Sequence, residues 1–231
     1  MKRFYKGVTA VAGAEGWHIA LDGRPVRTPA RALLLLPTAA LAQAVADEWD
    51  AQGEQVLPQT MNFTGLANAA IDQVAPNHAS FAAGIAAYGQ SDHLCYRAEA
   101  PATLVARQAE AWEPLLDWAR TRYDIAFRVT QGIIHVAQPP ETLTRLSAVV
   151  AAFDPFTLAG LATLVALSGS LVCGLALVDG DHDLDVIWQA AEIDEAWQVE
   201  QWGEDAEAAA RSARRALDFS MARAFCAMTR A

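Results

Sequence analysis

Residues 17–28 read WHIALDGRPVRT, and this stretch decides how the N-terminal part of the chain is interpreted. Asp22 and Gly23 join two β-prone runs, and such a pair is a strong hairpin signal because both turn positions need a positive φ. The four leucines at 33–36 are consistent with a further, buried strand. Pro25 belongs on an edge strand or a bulge. The sequence therefore predicts a small twisted sheet in which Asp22 and Gly23 are structural residues.

The pattern changes after this sheet. Leu41, Val45 and Trp49 recur at helical spacing, which predicts a helix that covers the sheet and makes Trp49 a structural residue. Alanine-rich helical patterns then continue along the chain. The sequence predicts an α+β protein. We expect a small β-rich domain with one helix at residues 1–58, followed by a larger, all-helical C-terminal domain at residues 59–231.

Composition argues against several classes of protein. The 231 residues are 53% hydrophobic and 19% charged, which suits a chain with a substantial core. The net charge of −10 argues against a nucleic-acid partner, which would need a basic face. Cys95, Cys173 and Cys226 are odd in number and far apart, so they fit reduced thiols better than a disulfide or zinc framework. The first residues form neither a signal nor a transit peptide, so we expect a cytoplasmic protein.

One segment is long enough to cross a membrane. Residues 156–178 carry no charge. Ser168-Gly169-Ser170 interrupts the run at its centre, and its flanks are acidic where a span would be anchored by Lys or Arg. We interpret the segment as two buried helices joined by a tight turn, without stable membrane insertion, and expect a protein that needs no detergent. A membrane-associated scaffold with a single span remains an alternative.

No assembled catalytic or metal motif is visible. The common phosphate-binding, dinucleotide-binding, metalloprotease and nucleophile-elbow patterns are absent. His93 and Cys95 are too close in sequence to face each other on a helix. The acidic run at 181–185 resembles the start of an EF-hand, but Val186 stands where the loop requires glycine. We predict no catalytic residue, no metal and no cofactor. A small hydrolase or lyase using carboxylate or cysteine chemistry remains the alternative function.

The acidic charge is concentrated in residues 181–210, which contain ten acids and no basic residue. A helical wheel drawn over a helix predicted at 184–201 gives a core arc on one side and a second apolar stripe with acidic borders on the other. Such a stripe suits a protein partner, although a solvated face with tucked tryptophans is the other interpretation. The core arc contains Val186, Ala190, Ile193 and Trp197, and the opposite side contains Trp188, Glu195, Val199 and Trp202.

Several motifs, in their order and spacing, resemble one family of chaperones. They are RFYK at 3–6, LDGRPV at 21–26, TP at 28–29, EWDAQ at 48–52, YRAE at 96–99, WEPLLDW at 112–118 and QWGEDAE at 201–207. The family comprises assembly chaperones of the F-type ATP synthase catalytic head. The resemblance is to the member that acts on the alpha subunit.

This resemblance implies a non-enzymatic, ATP-independent chaperone that binds the unassembled alpha subunit and promotes formation of the catalytic head. It also implies a small β-containing domain, a larger helical domain and a bacterial cytoplasmic setting. We expect a monomer. Carried over by motif, the functionally sensitive positions are Trp49, Glu204, Asp205 and Glu207. The expected partner-binding set is Trp188, Glu195, Trp202, Glu204, Asp205 and Glu207.

Overall fold

The computed structural model describes residues 1–180 and 182–230, and its α+β architecture confirms the predicted fold class. The strands of this described part are β1 (Val8–Gly13), β2 (Gly16–Leu21), β3 (Arg24–Pro25), β4 (Leu35–Leu36), β5 (Tyr96–Arg97) and β6 (Thr130–Gln131). Its α-helices are α1 (Ala39–Asp50), α2 (Asn62–Ala69), α3 (His78–Ala86), α4 (Ala102–Tyr123), α5 (Pro140–Ala151), α6 (Pro155–Ser168), α7 (Leu171–Asp179), α8 (Leu184–Ala191), α9 (Ile193–Trp202) and α10 (Ala206–Met228).

The chain divides into two compact units that are not continuous in sequence. The first unit comprises Met1–His78, Asp154–Gly160 and Met221–Ala231, and the second comprises Ala79–Phe153 and Leu161–Ser220. The domain boundary expected after residue 58 stays a prediction.

The first unit contains the small sheet. β1, β2 and β3 are antiparallel neighbours, and β4 also pairs with β2. The turn between β2 and β3 falls at Asp22 and Gly23, whose φ angles are 49° and 79°. Hydrogen bonds from the N–H groups of Gly7 and Lys6 to the Asp22 carboxylate hold the pKa of Asp22 below its ordinary value. The turn is thereby tied to the segment that leads into β1.

Helix α1 packs on β1 and β2 in the first unit. It begins after Thr38, whose hydroxyl accepts the N–H of Leu41 at 3.2 Å. Leu41 and Val45 are completely buried in the core of this unit. Trp49 is half-buried, and its ring lies edge-on to Tyr5 with the ring centroids 5.7 Å apart. The Tyr5 hydroxyl also donates to the carbonyl oxygen of Trp49 at 2.7 Å.

The second unit has α7 in its core, where all residues from Leu171 to Val178 are buried. Helices α6 and α7 meet at Gly169, which has a φ of 67°, so the uncharged segment forms two helices and a tight turn as predicted. Gly174 allows the two helices to approach closely, because a Cβ at this position would lie 2.6 Å from Cγ2 of Val165. Within residues 1–180 and 182–230, no helix combines the length and the apolar character needed to cross a membrane.

A buried carboxylate holds the start of α7. Asp92 is fully buried, and its oxygens accept the N–H groups of Val172 at 3.0 Å and Leu94 at 3.1 Å. Burial raises the pKa of Asp92 above its ordinary value, even though these hydrogen bonds act in the opposite direction.

The helix predicted at 184–201 is in fact two helices, α8 and α9, separated by Glu192 with φ −99° and ψ 13°. The carboxylate of Glu192 pairs with Arg215 of α10 at 2.9 Å, a tertiary contact that helical periodicity does not encode. The core face predicted by treating 184–201 as one continuous helix is therefore wrong at its first residue, Val186. Val186 is 58% exposed, whereas its neighbour Ile187 is completely buried.

Candidate partner-binding surface

The inward face of α9 is fixed by contacts with α4 in the second unit. Ile193 is buried, and Trp197 lies under the guanidinium of Arg107, whose Cζ is 5.2 Å from the ring centroid. The same guanidinium donates two hydrogen bonds to Glu200, at 2.6 Å and 3.1 Å. These bonds hold the pKa of the Glu200 carboxyl below its ordinary value. Asp194 also accepts the side-chain amide of Gln108 at 2.7 Å. The rotation of α9 about its axis is therefore defined.

The opposite face of α9 points to solvent. Glu195, Val199 and Trp202 are spaced by four and three residues, so they follow one another along a single helical face. Val199 is 44% exposed and Trp202 is 79% exposed. A tryptophan this exposed is uncommon, because its ring carries a large apolar area. This face is a strip that begins with the acid Glu195, continues with Val199 and ends in an exposed indole ring.

A glycine turn follows the strip and leads into α10. Gly203 has φ 88° and ψ 166°, a conformation that is accessible essentially to glycine alone. Its N–H donates to the carbonyl of Val199 at 2.9 Å and ends α9. Asp205 then begins α10, because its side chain accepts the N–H of Ala208 at 2.8 Å. Gly203 therefore ends α9, and α10 begins beside the acids that follow it.

The acids near this turn differ in their contacts. Asp205 is an N-cap, and Glu207 pairs with Arg211 at 2.6 Å along α10. Glu195 and Glu204 are exposed, and neither takes part in a hydrogen bond or an ion pair in the described part of the chain. We call the set of Glu195, Val199, Trp202, Glu204, Asp205 and Glu207 the α9–α10 corner. It carries an exposed indole and two carboxylates that make no hydrogen bond or ion pair with the described residues.

Trp188 occupies a different environment from the corner. It lies on α8, is half-buried, and packs against Phe219 with the ring centroids 5.0 Å apart. The guanidinium of Arg215 lies over the same indole, with its Cζ 5.4 Å from the ring centroid. The structure thus brings most of the expected set to α9 and the turn that follows it: Glu195, Trp202, Glu204, Asp205 and Glu207. Trp188 lies on the preceding helix, α8, and packs against α10. Partner binding by Trp188 stays a prediction.

The groups needed for the alternative hydrolase chemistry are poorly disposed for it. Burial raises the pKa of the Cys95 thiol, and it raises the pKa of Cys173 and Cys226 to about 12 in each case. A thiol nucleophile needs the opposite shift, because the thiolate is the reactive form. The residues from 1 to 180 and from 182 to 230 contain no group of three or more His, Cys, Asp or Glu side chains arranged to hold a metal ion. Asp181, the first acid of the run compared with an EF-hand, lies outside the described residues.

A surface cleft of about 580 Å³ lies beside the C-terminal half of α1 in the first unit. Glu48 lines this cleft, but its carboxylate already accepts the N–H groups of Phe63 and Thr64 at 2.7 Å and 2.8 Å, and the Thr64 hydroxyl at 2.8 Å. Glu48 thus caps the start of α2. No local pattern in the sequence indicates this role; the acid stands one residue before Trp49 in the EWD motif. The carboxylate is engaged in structure and is not free for acid–base chemistry.

An exposed aromatic and acidic corner on a rigid helical scaffold is typical of a protein that works by binding another protein. Comparisons with known proteins agree with this class. Residues 2–120 match the family model described as ATP12 chaperone protein. The chain belongs to the ATP12 chaperone family, which confirms the resemblance found in its motifs.

Solved structures of related proteins match nearly the whole chain. Two are of Atp12 from Paracoccus denitrificans, one of them an aspartate-to-lysine mutant. Both are 44% identical to this chain with a TM-score of 0.94, and the matches cover 99% of this chain and 97% and 98% of theirs. The Atu1473 protein from Agrobacterium tumefaciens is 41% identical with a TM-score of 0.94, covering 98% of this chain and 85% of its own.

Proposed function

We propose that this protein is an ATP-independent assembly chaperone of the F-type ATP synthase, and that it binds the unassembled alpha subunit through the α9–α10 corner. The observation that carries the proposal is Trp202, which is 79% exposed on a helix whose other face is firmly anchored. Family membership supports the chaperone activity. In this proposal the protein acts in the bacterial cytoplasm as a monomer, without cofactor and without catalysis.

The contacts of the α9–α10 corner indicate different roles in binding for its tryptophan, its unpaired carboxylates and its helix-capping acids. Trp202 is the apolar anchor, because buried aromatic residues supply most of the free energy of protein interfaces. Glu195 and Glu204 are available to a basic rim on the alpha subunit, since neither pairs with another described residue. Asp205 and Glu207 have helix-capping and ion-pairing roles within α10, so they contribute negative potential and also order the turn.

The test is binding of purified ATP synthase alpha subunit to the full chain and its variants, each measured beside its thermal unfolding. We expect Trp202→Ala to weaken binding by about tenfold to a hundredfold, the range that corresponds to a loss of 1.4 to 2.8 kcal/mol at an interface anchor. Glu204→Lys is expected to slow association and to weaken the salt dependence of binding. Neither change should lower the melting temperature appreciably, because both side chains are exposed.

Glu54→Lys is the matched control, because it makes the same charge change at an exposed position of the first unit. It should leave binding of the alpha subunit unchanged. Asp205→Asn separates the capping role from the binding role, because asparagine caps a helix about as well as aspartate but lacks its charge; it should keep the melting temperature and weaken binding. Normal binding by Trp202→Ala and Glu204→Lys would contradict the proposal, as would a loss of binding that only follows unfolding.

A further inference from the structure

Strand β1 forms an open edge of the sheet in the first unit. In the described part of the chain it pairs only with β2, and it stands at the end of the strand order. Its sequence is VTAVAG, so it has neither a charged side chain nor a proline. Charges, prolines and bulges are the usual devices that keep an edge strand from pairing with another chain. β1 is therefore an unprotected edge of six residues.

The direction of its backbone groups follows from the ladder. The Asp22 N–H donates to the Gly7 carbonyl at 3.0 Å, so this pair is of the hydrogen-bonded kind. Hydrogen-bonded and non-bonded pairs alternate along an antiparallel ladder, so Val8, Ala10 and Ala12 direct their N–H and C=O groups away from β2. Among the described residues, no hydrogen bond uses these backbone groups. Three donors and three acceptors are left available along one edge.

The side chains of β1 indicate what could pair with it. Val8 and Ala10 pack against the buried core of the first unit but are only partly buried themselves. Thr9 and Val11 are exposed. A strand added at this edge would place alternate side chains beside Val8 and Ala10, where they would extend the same apolar face. An added strand therefore needs apolar residues at alternate positions.

The charged residues near β1 indicate which charge an added strand should carry. Residues 1–31 contain six basic and two acidic side chains, a net charge of +4 in a chain whose total is −10. Lys6 lies two residues before Val8, where β1 begins, and is exposed. Arg24 is exposed on β3, and it and Lys6 both act on the Asp22 carboxyl of the adjoining turn. Lys6 and Arg24 outnumber the ionised Asp22 carboxylate at this end of β1, so the site favours negative charge in a partner.

We infer that the β1 edge binds an extended, acidic segment of a partner polypeptide, with apolar residues at alternate positions, by adding it as a further strand of the sheet. This binding site lies in the first unit and is independent of the α9–α10 corner, so it goes beyond the proposed function. Main-chain hydrogen bonds supply the affinity. The alternation of apolar side chains and the basic surroundings supply the selectivity.

The test uses a dye-labelled octapeptide of alternating Val and Glu as the probe, with the full chain. Amide hydrogen exchange at single-residue resolution gives the primary measurement. A saturating peptide should slow exchange of the Val8, Ala10 and Ala12 amides by at least about tenfold, because these donors become bonded. The amides of Thr9 and Val11 already belong to the ladder with β2 and should not change.

Two variants at one position provide the matched comparison. Ala12→Pro removes one outward N–H without removing a bond to β2, a substitution that edge strands tolerate, and should weaken peptide binding at least about tenfold. Ala12→Ser keeps the N–H and should bind normally. If Ala12→Pro lowers the melting temperature, Ala12→Asp takes its place, because an acidic side chain at this exposed position repels the acidic peptide without entering the core.

Three results would overturn the inference. The first is equal exchange of the three outward amides with and without the peptide. The second is equal or tighter binding of a Val and Lys octapeptide. The third is concentration-dependent protection of these amides in the chain alone, which would assign the edge to a second copy. Since no alpha subunit is present in this experiment, its failure would leave the proposal for the α9–α10 corner unaffected.

Discussion

Replacing Glu48 by Gln changes the cap of α2 with almost no change in side-chain volume. The carboxylate of Glu48 receives three hydrogen bonds, from two N–H groups and one hydroxyl at the start of α2, at 2.7 Å, 2.8 Å and 2.8 Å. A glutamine amide has only one acceptor oxygen. Its NH₂ group can only donate, so it would face N–H or hydroxyl donors without forming a hydrogen bond to them. At least one N–H of Phe63 or Thr64 then loses its partner.

The expected magnitude follows from that unpaired donor. Leaving a partly buried backbone N–H unsatisfied costs about 1–3 kcal/mol. For a chain of this size, each kcal/mol shifts the melting temperature by about 2–4 °C, so we expect Glu48→Gln to lower it by about 2–12 °C. The melting curve followed by circular dichroism is the measurement. Asp47→Asn is the control, because it also replaces a carboxylate by an amide, one residue earlier in α1. The Asp47 carboxylate is exposed, and its only hydrogen bond among the described residues is accepted from the side chain of Gln43, at 2.7 Å, within the same helix.

The control should shift the melting temperature by less than about 2 °C, as is usual for an exposed substitution. Equal melting temperatures for Glu48→Gln and Asp47→Asn would refute the capping role of Glu48. A second measurement localises the effect, since the amides of Phe63 and Thr64 should exchange faster in Glu48→Gln while those of α7 stay unchanged.

Three further predictions concern packed positions. Trp49→Arg should lower the melting temperature and the soluble yield, because the half-buried ring packs on Tyr5; a cost of about 1–3 kcal/mol is expected, below that of a fully buried Trp. An unchanged melting curve with lost binding of the proposed partner, the alpha subunit, would mark Trp49 as a contact residue. Gly174→Ala should lower the free energy of unfolding, measured by denaturant titration, by about 1–3 kcal/mol, because the new Cβ would lie 2.6 Å from Val165. Gly65→Ala is the control and should not destabilise the protein, because its Cβ would meet nothing within 4 Å. Burial raises the pKa of Asp92, so the stability contributed by its protonated form is fully present below the ordinary value of 3.8 and is lost as pH rises through the folded-state pKa. The free energy of unfolding of Asp92→Asn should therefore vary less with pH than that of the wild type. An identical pH dependence in the two proteins would contradict this.

Local features of the fold were predictable from the sequence. The turn at Asp22 and Gly23 depends on backbone conformations that neighbouring residues specify, and the structure has it. The turn at Gly169 follows from the same kind of local signal. The interruption at Glu192 was not predicted; the carboxylate there pairs with Arg215, 23 residues later in the chain. Tertiary contacts of this kind carry no signature in helical periodicity.

The candidate site shows the same division. The concentration of acids and the exposed side of α9 could be inferred from charge and spacing, and Trp202 is indeed exposed. The sequence treats Glu204, Asp205 and Glu207 alike, since all three follow Gly203. Their different contacts arise from the first turn of α10, where only Asp205 has the N-cap geometry. The edge character of β1 likewise depends on which strands pair, and that is a property of the whole sheet.

The burial of the three cysteines has a practical consequence for following the protein at work. Cys95, Cys173 and Cys226 are each at most 2% exposed, and burial raises the pKa of every one of their thiols. Maleimide reagents react with thiolates, so at neutral pH these residues should stay unlabelled in the folded chain. A single cysteine introduced at an exposed position would therefore carry a fluorophore selectively, with no need to remove the native thiols. Placed at Gln198, on the exposed side of α9, it would test in real time the proposed binding and release of the alpha subunit.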